Sequence, residues 1–336
     1  MPSHLKWSRT MIMRLVCIIM MLSGIIVPCA AQAGPIRLAV VTKPGSAQNV
    51  CAEAFAQVLE HSSKGRLKVE LFHSGAMGDE CQILYKLRQG QLDMCVVTAG
   101  SFDRIAPQVR AVEFPFLFEN YTQVDLVLQG TVGRRLLGSL EESGFKGLAF
   151  AENGFRNLTN SRRPVKNAID VKDLLIRVME SKLQTCLWRE LGAVPVPHAW
   201  PITELLASGR VDGQENPLGV IWHYRLDKVQ KHLSLTRHVY SAHICVANPI
   251  WYHALSRFDQ RLVAMSMEKA AAYQREHNRG QVAFYLSQLK AAGMEVVENP
   301  DRASFKAKTS ELSATPLFDN PRVMQMLMMF KKALNF

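Results

Sequence analysis

The chain has 336 residues, of which 48% are hydrophobic and 21% charged, with 40 Lys and Arg against 29 Asp and Glu for a formal net charge of +11. That is the composition of a globular protein and excludes a disordered or fibrous one. The positive excess is dispersed, with no long run of Lys or Arg and no aromatics interleaved among basic clusters, so no nucleic-acid partner is expected.

Lys6, Arg9 and Arg14 precede an uncharged apolar run over 15–27, and Ala31-Gln32-Ala33 supplies a small-residue cleavage signal before Gly34. The pattern predicts a secretory signal peptide over 1–33, cleaved near Ala33, and hence a periplasmic protein. The run is too short for a bilayer span, which needs about 20 apolar residues, so the mature chain is expected to be soluble. Losing three cations and no anion leaves a mature charge of +8, a modest field that suits small anions. Five cysteines remain, Cys51, Cys81, Cys95, Cys186 and Cys245, with no C-x-x-C, so neither metal nor dithiol chemistry is expected. Cys95 and Cys245 lie in apolar runs and read as buried hydrophobes. Cys51 and Cys81 each open a helix, and a disulfide between them and two free thiols are both open readings.

In chain order, 36–41 reads as a strand, 51–61 as a helix with Phe55, Val58 and Leu59 on one face, and 67–71 as a second strand. A helix over 80–88 with Ile83, Leu84 and Leu87 inward follows, then an apolar strand over 92–97. Alternation of strands and helices implies an α/β fold with a mostly parallel sheet. Roughly 300 mature residues exceed one comfortable core, so two domains are expected. LRQGQLD, ending at Asp93, and LASGRVD, ending at Asp212, share L-x-x-G-x-[LV]-D, a helix end, a Gly stop and a short strand, as if one unit were built twice. Two amphipathic helices, 260–279 and 281–292, are expected to pack across lobes.

Arg156 in GFRNLT and Arg177 in IRVMES, followed by VDGQENPL, suggest an anion site, because a guanidinium fork matches a carboxylate bidentately. The plain alternative is that both are surface arginines in solvated ion pairs. No H-E-x-x-H, G-x-S-x-G, G-x-G-x-x-G or P-loop occurs, and the histidines are scattered, so no catalytic residue, metal or cofactor is expected. Asp79-Glu80 sits at a helix N-terminus, where capping suffices to explain the acids.

GFRNLTNSRRPV, DVKDLLIRVMES, LGAVPVP, SGRVDGQENPL and VQKHLSLTRHVYS, with ELFHSGAMGDE and LRQGQLD upstream, resemble in order and spacing the extracytoplasmic solute receptors of TRAP (tripartite ATP-independent periplasmic) transporters. The resemblance covers nearly all of the mature chain. It implies a two-lobed periplasmic binding protein fold with a ligand cleft between the lobes and long helices spanning both. Lobe I would be 34–153 with 242–281, and lobe II 154–241 with 282–336. The implied protein is no enzyme: it captures a small organic acid and delivers it to the membrane permease subunits of a TRAP transporter.

By the same resemblance, Arg177 is the clamp on the ligand carboxylate, Arg156 the second arginine and Asn216 the Asn of D-G-Q-E-N, with Glu80 and Thr98 contributed by the first lobe. Thr98 stands where sialic-acid receptors carry an acidic residue, which disfavours sialic acid. Trp200 falls near the family's aromatic stacking position, though the segment before VDGQEN is one residue shorter, and packing beneath Pro201 is the alternative. Tyr240 stands between hinge packing and a ligand contact. Two other functions share these residues: a periplasmic enzyme with His198 or Glu215 as base, and a ligand-sensing subunit of a signalling receptor.

Overall fold

The computed structural model describes residues 34–335. The expected signal peptide and its cleavage point near Ala33 lie outside the described residues. Nine strands form one sheet: β1 (Ile36–Ala39), β2 (Val69–Phe72), β3 (Met94–Thr98), β4 (Lys146–Asn160), β5 (Leu175–Val178), β6 (Val194–Pro197), β7 (Gly213–Asn216), β8 (His232–Ala247) and β9 (Glu295–Val297). The order is β2-β1-β3-β8-β4-β7-β5-β6, with β9 beside β8.

The sheet is mixed rather than mostly parallel. β1 pairs in parallel with β2 and β3, as β5 does with β6 and β7. The two long strands join these triplets antiparallel, β8 against β3 and β4 against β7. The sequence echo marks this duplication. Gly90 and Gly209 stop their helices at φ +70° and +69°, values that only glycine adopts freely. Asp93 then accepts from the Arg37 amide of β1 at 2.8 Å, and Asp212 from the Leu175 amide of β5 at 2.9 Å. Each aspartate locks its unit's first strand to the approach of its third, so the repeated L-x-x-G-x-[LV]-D is one device used twice.

The first unit follows the sequence reading closely. The helix over 80–88 is found as Glu80–Arg88, while the helix expected over 51–61 runs Ala47–Ser62 and brings Gln48 into its first turn. The pair of helices expected over 260–292 is a single 35-residue helix, Arg257–Ala291. A rise of about 1.5 Å per residue makes it roughly 50 Å long. Gly280, which falls between the two expected helices, does not break it: one glycine in a helix costs only about 1 kcal/mol, which packing at both ends outweighs. Val263, Met267, Ala270 and Ala271 pack with Phe55 and Leu59, whereas Tyr285 and Leu289 join a separate cluster with Leu218 and Ile221. The helix thus ties the two halves together. Near the C-terminus, Phe330 meets Phe118 at 6.3 Å, so chain expected in lobe II also rests on residues expected in lobe I.

All five described cysteines are free. Cys51 lies in the core with its sulfur 3.8 Å from that of Cys245, whereas Cys81 is exposed, so a Cys51–Cys81 bridge does not form.

Candidate functional site

The two halves of the sheet converge on a cavity enclosing about 690 Å³ of empty space, measured out to its mouth. Glu80, Thr98, Arg156, Arg177, Trp200 and Asn216 all line it. The sequence therefore brought six of its seven candidates to one place. The seventh, Tyr240, does not line it: it is buried among Phe118 and Phe155, at 5.6 and 5.4 Å between ring centroids, with its hydroxyl donating to Glu152 at 3.2 Å. Its surroundings are those of packing at the crossing strands, which answers the alternative left open for it.

On the wall nearest β3, Asp79 caps the helix Glu80–Arg88 through a reciprocal bond with Gln82, which leaves Glu80 free to turn inward. Glu80 accepts from the Thr98 amide at 2.8 Å, the Thr98 hydroxyl at 2.9 Å, Gln48 at 2.5 Å and the Ser101 hydroxyl. Four donors hold this carboxyl group in one orientation. Capping thus explains Asp79 but not Glu80.

The opposite wall carries the arginines, and they differ in kind. Arg156 is 1% exposed and Glu215 fully buried. The guanidinium forks onto the Glu215 carboxylate, with Nη2 at 2.6 Å from both Oε1 and the Glu215 carbonyl oxygen. His238 adds a 3.2 Å contact to the same carboxylate. Burial pushes Glu215 upward, yet Arg156 and His238 outweigh it and hold the carboxyl near 2. A carboxylate this well neutralised is a poor base, so the enzymatic reading of Glu215 is corrected: its role is to anchor Arg156. His198, the other base considered, has its side chain exposed and its ring nitrogen on the Ala199 carbonyl.

Arg177 is equally buried at 3% exposure, but its donors reach only a backbone carbonyl, His198 O, at 2.8 Å from Nε. Among the described residues no carboxylate forms an ion pair with it. Burial, then the like charge of Arg156, depress its pKa to about 10. A buried cation without a counter-ion is costly unless something supplies the charge. Neither arginine is the solvated surface residue of the plain alternative.

The remaining wall holds residues the sequence did not single out. Tyr224 meets Trp200 edge to face at 4.5 Å and takes a hydrogen bond from the Lys43 amide at 3.0 Å. His243 stands 3.5 Å from the Thr98 hydroxyl, and burial together with Arg156 drives its pKa to about 3, so it is neutral. Behind Gly100, the buried Glu113 is raised to about 8 by desolvation, against the pull of Arg156. No spacing in the sequence links Gln48, Tyr224 and His243, because tertiary folding alone brings them together. For Gln48 the misplaced helix start hid the signal.

The family model for bacterial extracellular solute-binding proteins, family 7 (DctP), matches residues 38–316. The chain is 35% identical to a solute-binding protein of Verminephrobacter eiseniae over 85% of each chain. It is 34% identical to the 2,3-diketo-L-gulonate-binding periplasmic protein YiaO of Escherichia coli K12, over 82% of this chain and 84% of that one. A TRAP periplasmic solute-binding protein of Polaromonas sp. JS666, solved with D-erythronate bound, superposes with a TM-score of 0.84 at 33% identity, covering 88% of this chain and 97% of the other.

Proposed function

From the premise that this chain belongs to family 7 of the bacterial extracellular solute-binding proteins, whose members are transport receptors and not enzymes, we propose that it is a periplasmic receptor that captures a hydroxylated monocarboxylate and delivers it to a TRAP-type permease. The observation that carries the ligand class is the charge layout of the cavity. Arg156 is neutralised by Glu215, so Arg177 is the one guanidinium with a vacant claim on an anion. Asp79, Glu80 and Glu180 also line the cavity, and they would repel a second carboxylate. One acid group on Arg177, with hydroxyls directed at Glu80, Asn216 and Asn153, satisfies both sides, and Trp200 with Tyr224 offers flat apolar surface to the carbon chain. The ligands of two relatives, D-erythronate and 2,3-diketo-L-gulonate, are hydroxylated acids with a single carboxylate.

Residues of both halves of the sheet are engaged together only in a shut cleft, so ligand favours closure by differential contact. The cleft residues would come from lobe I as 34–153 with 242–281 and from lobe II as 154–241 with 282–336. The test is a thermal-shift and calorimetric panel of D-erythronate, D-galactonate, succinate and D-erythronamide. Erythronate or galactonate should stabilise at least tenfold lower concentration than succinate, and the amide not at all. Preference for succinate, or equal stabilisation by the amide, refutes the ligand class.

A further inference from the structure

Across strand β4 from the cleft lies a second cavity, lined by other residues of the same motifs, among them Phe155 and Asn157, Leu218, Leu235 and Arg237, with Asn153 reaching both cavities. Neighbouring residues of an extended strand face opposite ways. Arg156 therefore faces the first cavity, and Phe155 and Asn157 face the second. Likewise the helix Leu218–His223 gives Val220 to the first and Leu218 and Gly219 to the second. The partition is one backbone thick at Gly154, which holds φ +117° and where a Cβ would meet Pro217 at 3.4 Å and Asn278 at 3.6 Å.

This cavity has an apolar body and one cationic end. Leu235, Val282, Leu286 and Tyr285 line the body. At the end stands Arg237, its guanidinium 4.4 Å from the centroid of the Phe155 ring. Its hydrogen-bond partner is the Glu119 backbone carbonyl at 3.3 Å. The Glu119 carboxylate is engaged elsewhere, by Arg302 at 3.3 Å and Lys306 at 3.6 Å. Arg237 is half-buried, and desolvation with the nearby Arg302 lowers its pKa. Its backbone sits in the left-handed region at φ +43°, pinned by donation from its amide to Asn157 Oδ1 at 3.2 Å. A non-glycine residue in that region is held there by its surroundings, not by its own preference.

We propose that this second cavity is a binding site for an apolar monocarboxylate, its carboxylate on Arg237 and its hydrocarbon or aromatic body among Leu235, Val282 and Leu286. The acid supplies the anion that Glu119 does not, and the Phe155 ring beneath the guanidinium fixes the fork's orientation. The two cavities differ in charge: Asp79, Glu80 and Glu180 line the first, whereas the second has no lining carboxylate and sets Arg237 and the amides of Asn153, Asn157 and Asn278 beside Leu235, Val282 and Leu286. The inference does not depend on which acid fills the first cavity.

Equilibrium dialysis of radiolabelled phenylacetate against the mature protein, stripped of bound acid by unfolding and refolding, tests it. One equivalent should bind, survive Arg177→Ala, and be weakened at least about tenfold by Arg237→Met, the loss of roughly one half-buried charge contact. Leu286→Trp, which fills the cavity without altering charge, should weaken it similarly. Unlabelled phenylacetate should displace the label and 2-phenylacetamide should not. Absence of binding at millimolar phenylacetate overturns the site, as does binding that Arg177→Ala abolishes and both cavity variants leave intact. Displacement by the amide overturns the carboxylate assignment. Charge and volume are attacked by separate variants, each checked by circular dichroism, so misfolding of one leaves the other to decide.

Discussion

Replacing each cleft arginine by methionine should separate binding from stability. Arg177 is a buried cation held at about 10 instead of 12.5. At about 1.4 kcal/mol per pH unit, that depression corresponds to roughly 3 kcal/mol of unfavourable burial in the ligand-free protein. Arg177→Met removes it, and also removes the two donations to the one His198 carbonyl, together worth about 1–2 kcal/mol. The ligand-free variant should therefore be more stable than wild type by about 1–2 kcal/mol, while affinity for the acid falls by about 2–5 kcal/mol, roughly 30-fold to several thousand-fold. Arg177→Lys should restore only part of the affinity, since an ammonium keeps the charge without the fork. Arg156→Met should do the opposite. It leaves Glu215 buried with only His238 beside it, an uncompensated charge that costs about 3–5 kcal/mol. The double variant Arg156→Met with Glu215→Gln should recover much of that loss. Urea denaturation at pH 7 on protein stripped of ligand reads the stabilities, and calorimetric titration with the stabilising acid reads the affinities. The reasoning is refuted if Arg177→Met destabilises as much as Arg156→Met, if Arg177→Lys binds like wild type, or if the double variant is no better than the single one.

Glu113, raised from 4.5 to about 8, binds a proton in the folded state that the unfolded chain releases between those values, so its contribution to stability is present below pH 4.5 and lost as pH rises toward 8. Glu113→Gln should flatten the fall in urea midpoint between pH 5 and 8, and an unchanged slope would remove Glu113 as the cause. Glu215 has the opposite sign: held near 2, it stabilises above its ordinary value and that contribution fades as pH drops from about 4.5 toward 2, a loss Glu215→Gln should abolish in acid titration followed by circular dichroism. Trp200 lines the cavity against Tyr224, so acid binding should change the tryptophan emission, and Trp200→Phe should remove that change. Saturating acid should also lower the radius of gyration in small-angle scattering, and an unchanged curve despite calorimetric binding would count against cleft closure.

Much of this site was legible because local rules write themselves into short strings. Gly90 and Gly209 stop their helices, and the aspartates three residues on reach across to an amide of the first strand of each unit, so L-x-x-G-x-[LV]-D carries the duplication in the sequence itself. What the sequence hid was pairing over distance. Two arginines 21 positions apart look alike on paper; the partner that distinguishes them, Glu215, is 59 residues from Arg156 and enters the sequence reading only, beside His198, as a base in the enzymatic alternative. Tyr240 shows the same limit from the other side, since only the position of Glu152 across the crossing strands turns its hydroxyl away from the cavity. Strand periodicity gives faces but not directions of pairing, and so a mostly parallel sheet was expected where β4 and β8 run antiparallel through both units. That crossing has a functional consequence. Arg156 lies where the β4–β8 register shifts, and its anchor Glu215 lies on β7 of the second unit. Neutralising Arg156 from within fixes the crossing as a rigid element and leaves Arg177 on β5, in the proposed reading, as the cleft guanidinium whose charge the ligand completes. An acid arriving there supplies what the fold withholds, which is the differential contact that closure requires.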